Sequence, residues 1–350
     1  MMRPATRRLV LALGAALGTL PAGCGGPPQA GQPLPDPVIL GETGASPGQF
    51  LKPRAMDAAG GSLWIIDKTA RIQRLDPDSG DPLSVWSMPE SAAGKPVGVT
   101  VLDHALGPGG EVIATRERPL VFVADTHYHR VLVYRAPAPG ADQPEEVARF
   151  GAYGREGGQF IYPTDVAVLQ APDGRVSRIY VAEYGGNDRI QIFDDRYQFM
   201  GAFGAFGAGE HPGEVVFNRP QSIDIDPASG ELVVADAGNH RVGRFSLEGD
   251  LKGWTDGGAG GAEALRYPYG LLCVGDGTAL IAEYGRNQLR RIDLADGRTT
   301  GVWGRPGREP GELKTPWAVA MIGPSVYVLD TGQDRAQRFR AGFRARRNTR

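Results

Sequence analysis

A short β-rich run closing on an acid occurs six times in this chain: Trp64–Asp67, Phe122–Asp125, Tyr180–Glu183, Val233–Asp236, Leu280–Glu283 and Tyr327–Asp330. Successive acids stand 58, 58, 53, 47 and 47 residues apart. A unit of this length, made of short strands, cannot bury its apolar face alone. Stacking such units around a ring gives a β-propeller. The third copy shows the unit in full. Alternating strands are expected over Thr164–Leu169, Arg178–Ala182, Arg189–Phe193 and Phe199–Phe203. Ala171–Gly174 and Tyr184–Asp188 separate them as turns, because Gly and Asn tolerate positive φ. The expectation is an all-β, six-bladed β-propeller of four-stranded antiparallel blades. The last copy stops after its third strand, Ala336–Phe339, and an apolar segment, Val38–Leu40, precedes the first copy. That N-terminal segment is expected to close the last blade, which leaves only short outer edges open to pairing.

Further marks recur in register. A proline starts each first strand: Pro53, Pro96, Pro163, Pro220, Pro268 and Pro316. Three residues earlier stands a large apolar group, Phe50, Phe160, Phe217, Leu265 or Leu313, although the second copy has Ala93. A cation follows each acid after a turn: Arg71, Arg130, Arg189, Arg241 and Arg335, with Gln288 in the fifth copy. This wording resembles the NHL repeat family over Val38 to about Phe343. The resemblance implies a six-bladed propeller, and it leaves function open, because the family holds both enzymes and binding scaffolds.

The segments outside the repeats suggest export. Arg3, Arg7 and Arg8 precede an uncharged, mostly apolar run over Leu9–Leu20, too short to span a bilayer about 30 Å thick. It closes on Leu20-Pro-Ala-Gly-Cys24, which resembles a bacterial lipobox with Pro21 in place of the usual large aliphatic residue. Residues 1–23 are read as a signal peptide. Residues 24–37 are read as a lipidated Cys24 and a Pro/Gly-rich extended tether, 38–343 as the propeller and 344–350 as a basic tail. An ordinary secretory signal, with Cys24 incidental, is the alternative. Either way the expected location is the cell envelope, facing the periplasm or the exterior. Arg335, Arg338, Arg340, Arg344, Arg346, Arg347 and Arg350 crowd the end of the chain and would suit anionic lipid. The other cysteine, Cys273, lies in an apolar run and reads as a small core residue. A formal charge of −2 argues against a nucleic-acid surface.

Six regular copies mark Asp67, Asp125, Glu183, Asp236, Glu283 and Asp330 as structural turn acids. A tight turn must be satisfied in every blade, and a carboxylate accepts its N–H groups. Gln73, Gln191 and Gln337, on third strands, are expected to face solvent. Positions where the copies differ are the candidates for function. The residue after each proline should sit innermost at the channel mouth: Arg54, Val97, Thr164, Gln221, Tyr269 and Trp317. Asp165 is one place further in, and Tyr184 and Tyr284 lie on the outer rim. The expected ligand site is therefore Arg54, Thr164, Asp165, Gln221, Tyr269 and Trp317, with aromatic area and a guanidinium fork for an anionic group.

Metal chemistry is less favoured. An amidating lyase that resembles this fold holds zinc through histidines at inner-mouth positions, yet no copy here has His after its proline. His127, His211 and His240 could converge on one ion only if their loops folded inward. Asp165, Asp224 and Asp226 could offer oxygens to calcium. No cofactor is predicted, and calcium and zinc stay open. The function read from the sequence is an exported, lipid-anchored module that binds an envelope protein, peptide or glycan at the mouth. The alternative is a metal-assisted lyase or hydrolase using the same cleft.

Overall fold

The computed structural model describes residues 31–138, 141–209, 213–259 and 261–340. Cys24, His211 and the tail beyond Arg340 lie outside the described residues. Six four-stranded antiparallel sheets form a closed ring. Their first strands, Pro53–Ala59, Gly98–Leu102, Tyr162–Gln170, Pro220–Ile225, Pro268–Cys273 and Pro316–Ile322, line a central channel. The ring closes as expected. Val38–Leu40 pairs antiparallel with the third strand of blade 6, with Val38 opposite Arg338 and Leu40 opposite Ala336. Blade 2 is lengthened by a small hairpin, Ala105–Leu106 with Val112–Ala114.

The second strands read as continuous apolar runs because both of their faces are covered by neighbouring blades. Trp64, Ile65 and Ile66 in blade 1 and Val233, Val234 and Ala235 in blade 4 are all fully buried. The core is divided among the gaps between blades. One cluster joins Trp64 and Ile66 to Val99 and Val121, and another joins Tyr180 to Phe217 and Leu232. A further cluster, with Leu40, Phe50, Leu63 and Tyr327, seals blade 6 to blade 1.

Phe50, Phe160, Phe217, Leu265 and Leu313 plug these gaps and are at most 2% exposed. The plug needs glycine beside it. Gly151 and Gly204 follow outer strands at φ +94 and +89, and a Cβ there would sit 2.5 and 2.4 Å from the Phe160 and Phe217 rings. Blade 2 lacks both halves of this device. Ser87 stands where Gly151 and Gly204 stand in the next two blades, and the buried side chain of the following Met88 joins the cluster between blades 1 and 2. The space is filled from the other side, so Ala93 suffices.

The turn acids bind the entry loop to the blade. Asp236 accepts from the Asn218 amide at 2.7 Å, and Glu183 from the Ile161 amide at 2.7 Å. The paired arginine reaches the same loop: Arg241 donates Nε to Asp236 at 2.9 Å and Nη2 to the Val216 carbonyl at 2.8 Å. Blade 2 is the exception. Its altered entry loop offers no donor to Asp125 Oδ1, and burial pushes this carboxyl up to about 6.

Gln73, Gln191 and Gln337 do not face solvent; all three are fully buried. The entry loop folds over the third strand, and its backbone groups need partners there. Gln191 accepts from the Gly158 amide at 2.8 Å and donates to the Gln159 carbonyl at 2.6 Å. In blade 5 the two side chains exchange places. Gln288 donates to Glu283 at 2.6 Å, and Arg290, two residues on, supplies the cation at 2.9 Å.

One expectation about the ends is also corrected. The segment read as a free tether is docked at Leu34, which is 2% exposed and donates its amide to the Gly311 carbonyl at 2.8 Å. An apolar side chain beside the gap between blades 5 and 6 is better buried there than left in water. Arg335 and Arg338 belong to the third strand of blade 6, as the repeat implies. Each is held by a carboxylate, Arg335 by Asp330 at 2.8 Å and Arg338 by Asp78.

Candidate functional site at the channel mouth

The loops entering the first strands and the turns after the second strands share one face. Arg54, Tyr269 and Trp317, each one residue past its proline, meet at the centre of that face. Trp317 lies edge-on to Tyr269 with ring centroids 4.9 Å apart, and Tyr269 stacks on Tyr284 at 4.5 Å. The Arg54 guanidinium lies over Trp317, 5.1 Å from the ring centroid. Such cation–π contacts suit arginine, whose flat fork can lie on a ring and keep its edges free.

Two members of the ledge were missed because they precede their prolines. Arg219 lies over Tyr184 at 4.9 Å and over Tyr269 at 5.2 Å. Tyr162 packs on Tyr184 at 5.2 Å and against His127 at 5.7 Å. The residue before the proline is left-handed in four blades, Lys52, Arg219, Tyr267 and Thr315, with φ from 48 to 58. That conformation is uncommon for a residue with a side chain. A side chain from the preceding blade holds each one: Asp188 accepts from the Arg219 amide at 2.6 Å, and Asn287 from the Thr315 amide at 2.6 Å. His240 does the same for Tyr267 at 3.1 Å, so its Nδ1 acts as an acceptor between blades. The sequence signal was present in the position before each proline.

The remaining candidates lie deeper. Thr164 is fully buried, and its hydroxyl donates to the Pro220 carbonyl at 2.7 Å, so it joins blades 3 and 4 and offers nothing to a ligand. Gln221 is 3% exposed and accepts from Arg219 Nε at 3.0 Å, which makes it a support for that guanidinium. Asp165 faces the channel and accepts from Ser222 Oγ at 2.7 Å and the Ile223 amide at 3.0 Å. Asp57 and Asp224 repeat the arrangement, accepting from the Val101 amide at 2.7 Å and the Cys273 amide at 2.8 Å. Asp226, the third carboxylate considered for calcium, instead holds its own turn through the Ser229 amide and hydroxyl at 3.1 and 2.8 Å. Among the described residues no three His, Cys, Asp or Glu side chains are placed to hold a metal ion. The channel encloses about 250 Å³.

Burial raises the carboxyls of Asp165 and Asp224 to about 7, against the lowering effect of the amides they accept from. The folded state therefore keeps protons that the unfolded chain releases near pH 3.8. Their contribution to stability is present at low pH and is lost as pH rises through about 7. We expect the stability read from urea denaturation to fall between pH 6.5 and 8, by at most about 1 kcal/mol after screening by channel water. Starting at pH 6.5 limits the opposing effect of His127 and His240, whose pKa values burial lowers. A midpoint that rises over this interval contradicts the assignment.

The class defined by fold and site is a six-bladed β-propeller with an aromatic and arginine-lined channel mouth. Residues 217–245 match the model of the NHL repeat. They run from the plug Phe217 to the end of the third strand of blade 4, so one blade of the six-bladed propeller carries an NHL-repeat match. Protein brain tumor of Drosophila melanogaster is 26% identical over 139 residues, covering 40% of this chain and 12% of that protein. The chain thus spans a small part of that relative. A structure of a Bacteroides thetaiotaomicron protein of unknown function superposes with a TM-score of 0.59 at 16% identity, covering 87% of this chain and 75% of the other. A streptogramin B lyase superposes with a TM-score of 0.52 at 11% identity, covering 86% and 96%. At these identities the likeness is one of fold.

Proposed function

We propose that this propeller is a binding scaffold whose channel-mouth face holds a polypeptide segment of a partner protein. NHL-repeat propellers are typical of protein-binding scaffolds. The observation that carries the reading is the ledge of Trp317, Tyr269, Tyr284 and Tyr184, interleaved with Arg54 and Arg219. Tyr, Trp and Arg are the residue types that dominate interface energetics, and here a rigid frame presents them together. Trp317→Ala is expected to weaken capture of the partner by more than about 1 kcal/mol and to leave the melting temperature nearly unchanged, because Trp317 is only half-buried. Capture from a membrane extract with wild-type and variant bait measures this. Equal yields of the same partner would move the site off the mouth.

The reading also puts the scaffold in the cell envelope, exported and tethered through Cys24. Its support is the order of basic residues, apolar run and small residues before that cysteine. Cys24→Ser is expected to abolish acyl labelling and release the protein from membranes. Wild-type protein without acyl mass at Cys24 contradicts the tether.

A further inference from the structure

The mouth carries positive charge that no carboxylate among the described residues pairs with. Among the described residues neither Arg54 nor Arg219 forms an ion pair. The repeat arginines of the blades behave otherwise; Arg71, Arg189, Arg241 and Arg335 are each within 2.9 Å of a carboxylate. The two mouth arginines instead lie against one aromatic cluster. Arg54 covers Trp317, Trp317 abuts Tyr269, and Arg219 covers Tyr269. Burial lowers the pKa of Arg54, and the charge of Arg219 lowers it further, against the tyrosines, which raise it. Two cations are thus held near each other in partly dry surroundings.

Donors without acceptors point the same way. Nε of Arg54 and Nε1 of Trp317 are buried and have no hydrogen-bond partner among the described residues. A buried donor without an acceptor is costly, and a protein retains few of them. Gln221 also supports Arg219, since its amide oxygen accepts from Nε and so orients the guanidinium. An anion seated between the arginines would relieve their repulsion and accept from donors that the protein leaves unpaired.

We propose that the mouth recognises the carboxylate of an acidic polypeptide segment, bridged by Arg54 and Arg219, with the adjoining carbon chain against Tyr269 and Trp317. This inference rests on the reading of the mouth as a polypeptide-binding face. A guanidinium fork matches a carboxylate in a plane, and the flanking rings supply apolar area for the chain that carries it.

The test uses the purified mature chain and two fluorescein-labelled peptide pools that differ only in a central Glu or Gln. Fluorescence anisotropy is expected to show the Glu pool binding at least about tenfold tighter, with the difference shrinking as salt is raised. Arg54→Gln and Arg219→Gln should each erase the preference, and Arg54→Lys should restore part of it. Circular dichroism melting shows that the variants are folded. Equal binding of the two pools, lost in Trp317→Ala, overturns the carboxylate inference and leaves the mouth reading standing. Binding that Trp317→Ala and both arginine variants leave intact overturns both. No binding of either pool overturns the inference, as does tighter binding of a labelled single-stranded RNA. Displacement of the Glu pool by millimolar inorganic phosphate as effectively as by glutamate would reassign the site to phosphate.

Discussion

Asp236→Ala is expected to lower the stability of the propeller by about 3–5 kcal/mol, because it strands a buried cation. Asp236 is fully buried and Arg241 is 7% exposed. The carboxylate accepts from the Asn218 amide at 2.7 Å, from Asn239 Nδ2 at 2.8 Å and from Arg241 Nε at 2.9 Å. Arg241 cannot turn to solvent without leaving Trp254, whose ring centroid is 3.6 Å from the guanidinium carbon, and the Val216 carbonyl that its Nη2 reaches. Removing the carboxylate therefore leaves a buried charge and two further donors without their acceptor. Asp236→Asn keeps the shape and one acceptor oxygen, so its cost should be smaller, about 1–3 kcal/mol. Chemical denaturation at neutral pH measures both. A loss below 1 kcal/mol in the alanine variant, or a loss of ligand capture at unchanged stability, would mean that Asp236 is not the structural acid described.

The scaffold was legible in the sequence because its demands repeat. Outside blade 2, each blade uses an acid to hold its entry loop, a proline at the head of the first strand and an apolar plug between blades, so these residues recur in register. Groups that act across a gap were harder to read. Gln191 occupies an ordinary strand position, and nothing in the sequence shows that residues 158–159 fold over it. Arg290 and Gln288 exchange roles, which hides the cation of blade 5 from a search by spacing. The site was half legible. Arg54, Tyr269 and Trp317 were found by the rule that the residue after the proline is innermost. Arg219 was missed because a residue before proline is expected in extended backbone that aims it elsewhere, whereas here it is left-handed at φ 58. Thr164 obeys the positional rule but is withdrawn by its bond to the next blade.

The closing strand gives the second large effect. Leu40→Ala is expected to cost about 2–5 kcal/mol, the range for a leucine removed from a packed core. Leu40 is 1% exposed and lies in the cluster with Phe50, Leu63 and Tyr327, so its side chain joins blade 6 to blade 1. Ile39, on the same strand, is 36% exposed, and Ile39→Ala should change stability by no more than about 0.5 kcal/mol. The contrast separates a strand built into the ring from an arm resting on it. Deleting residues 38–41 should go further than the point variant. It uncovers the edge of Arg335–Arg340 and removes Gly41, whose φ of +79 and missing Cβ make room for Phe50. An open edge of unpaired backbone groups favours pairing with a second chain, so the deletion variant should self-associate in sedimentation as well as melt earlier. A deletion variant that stays monomeric with an unchanged melting temperature would show that the ring closes without this strand.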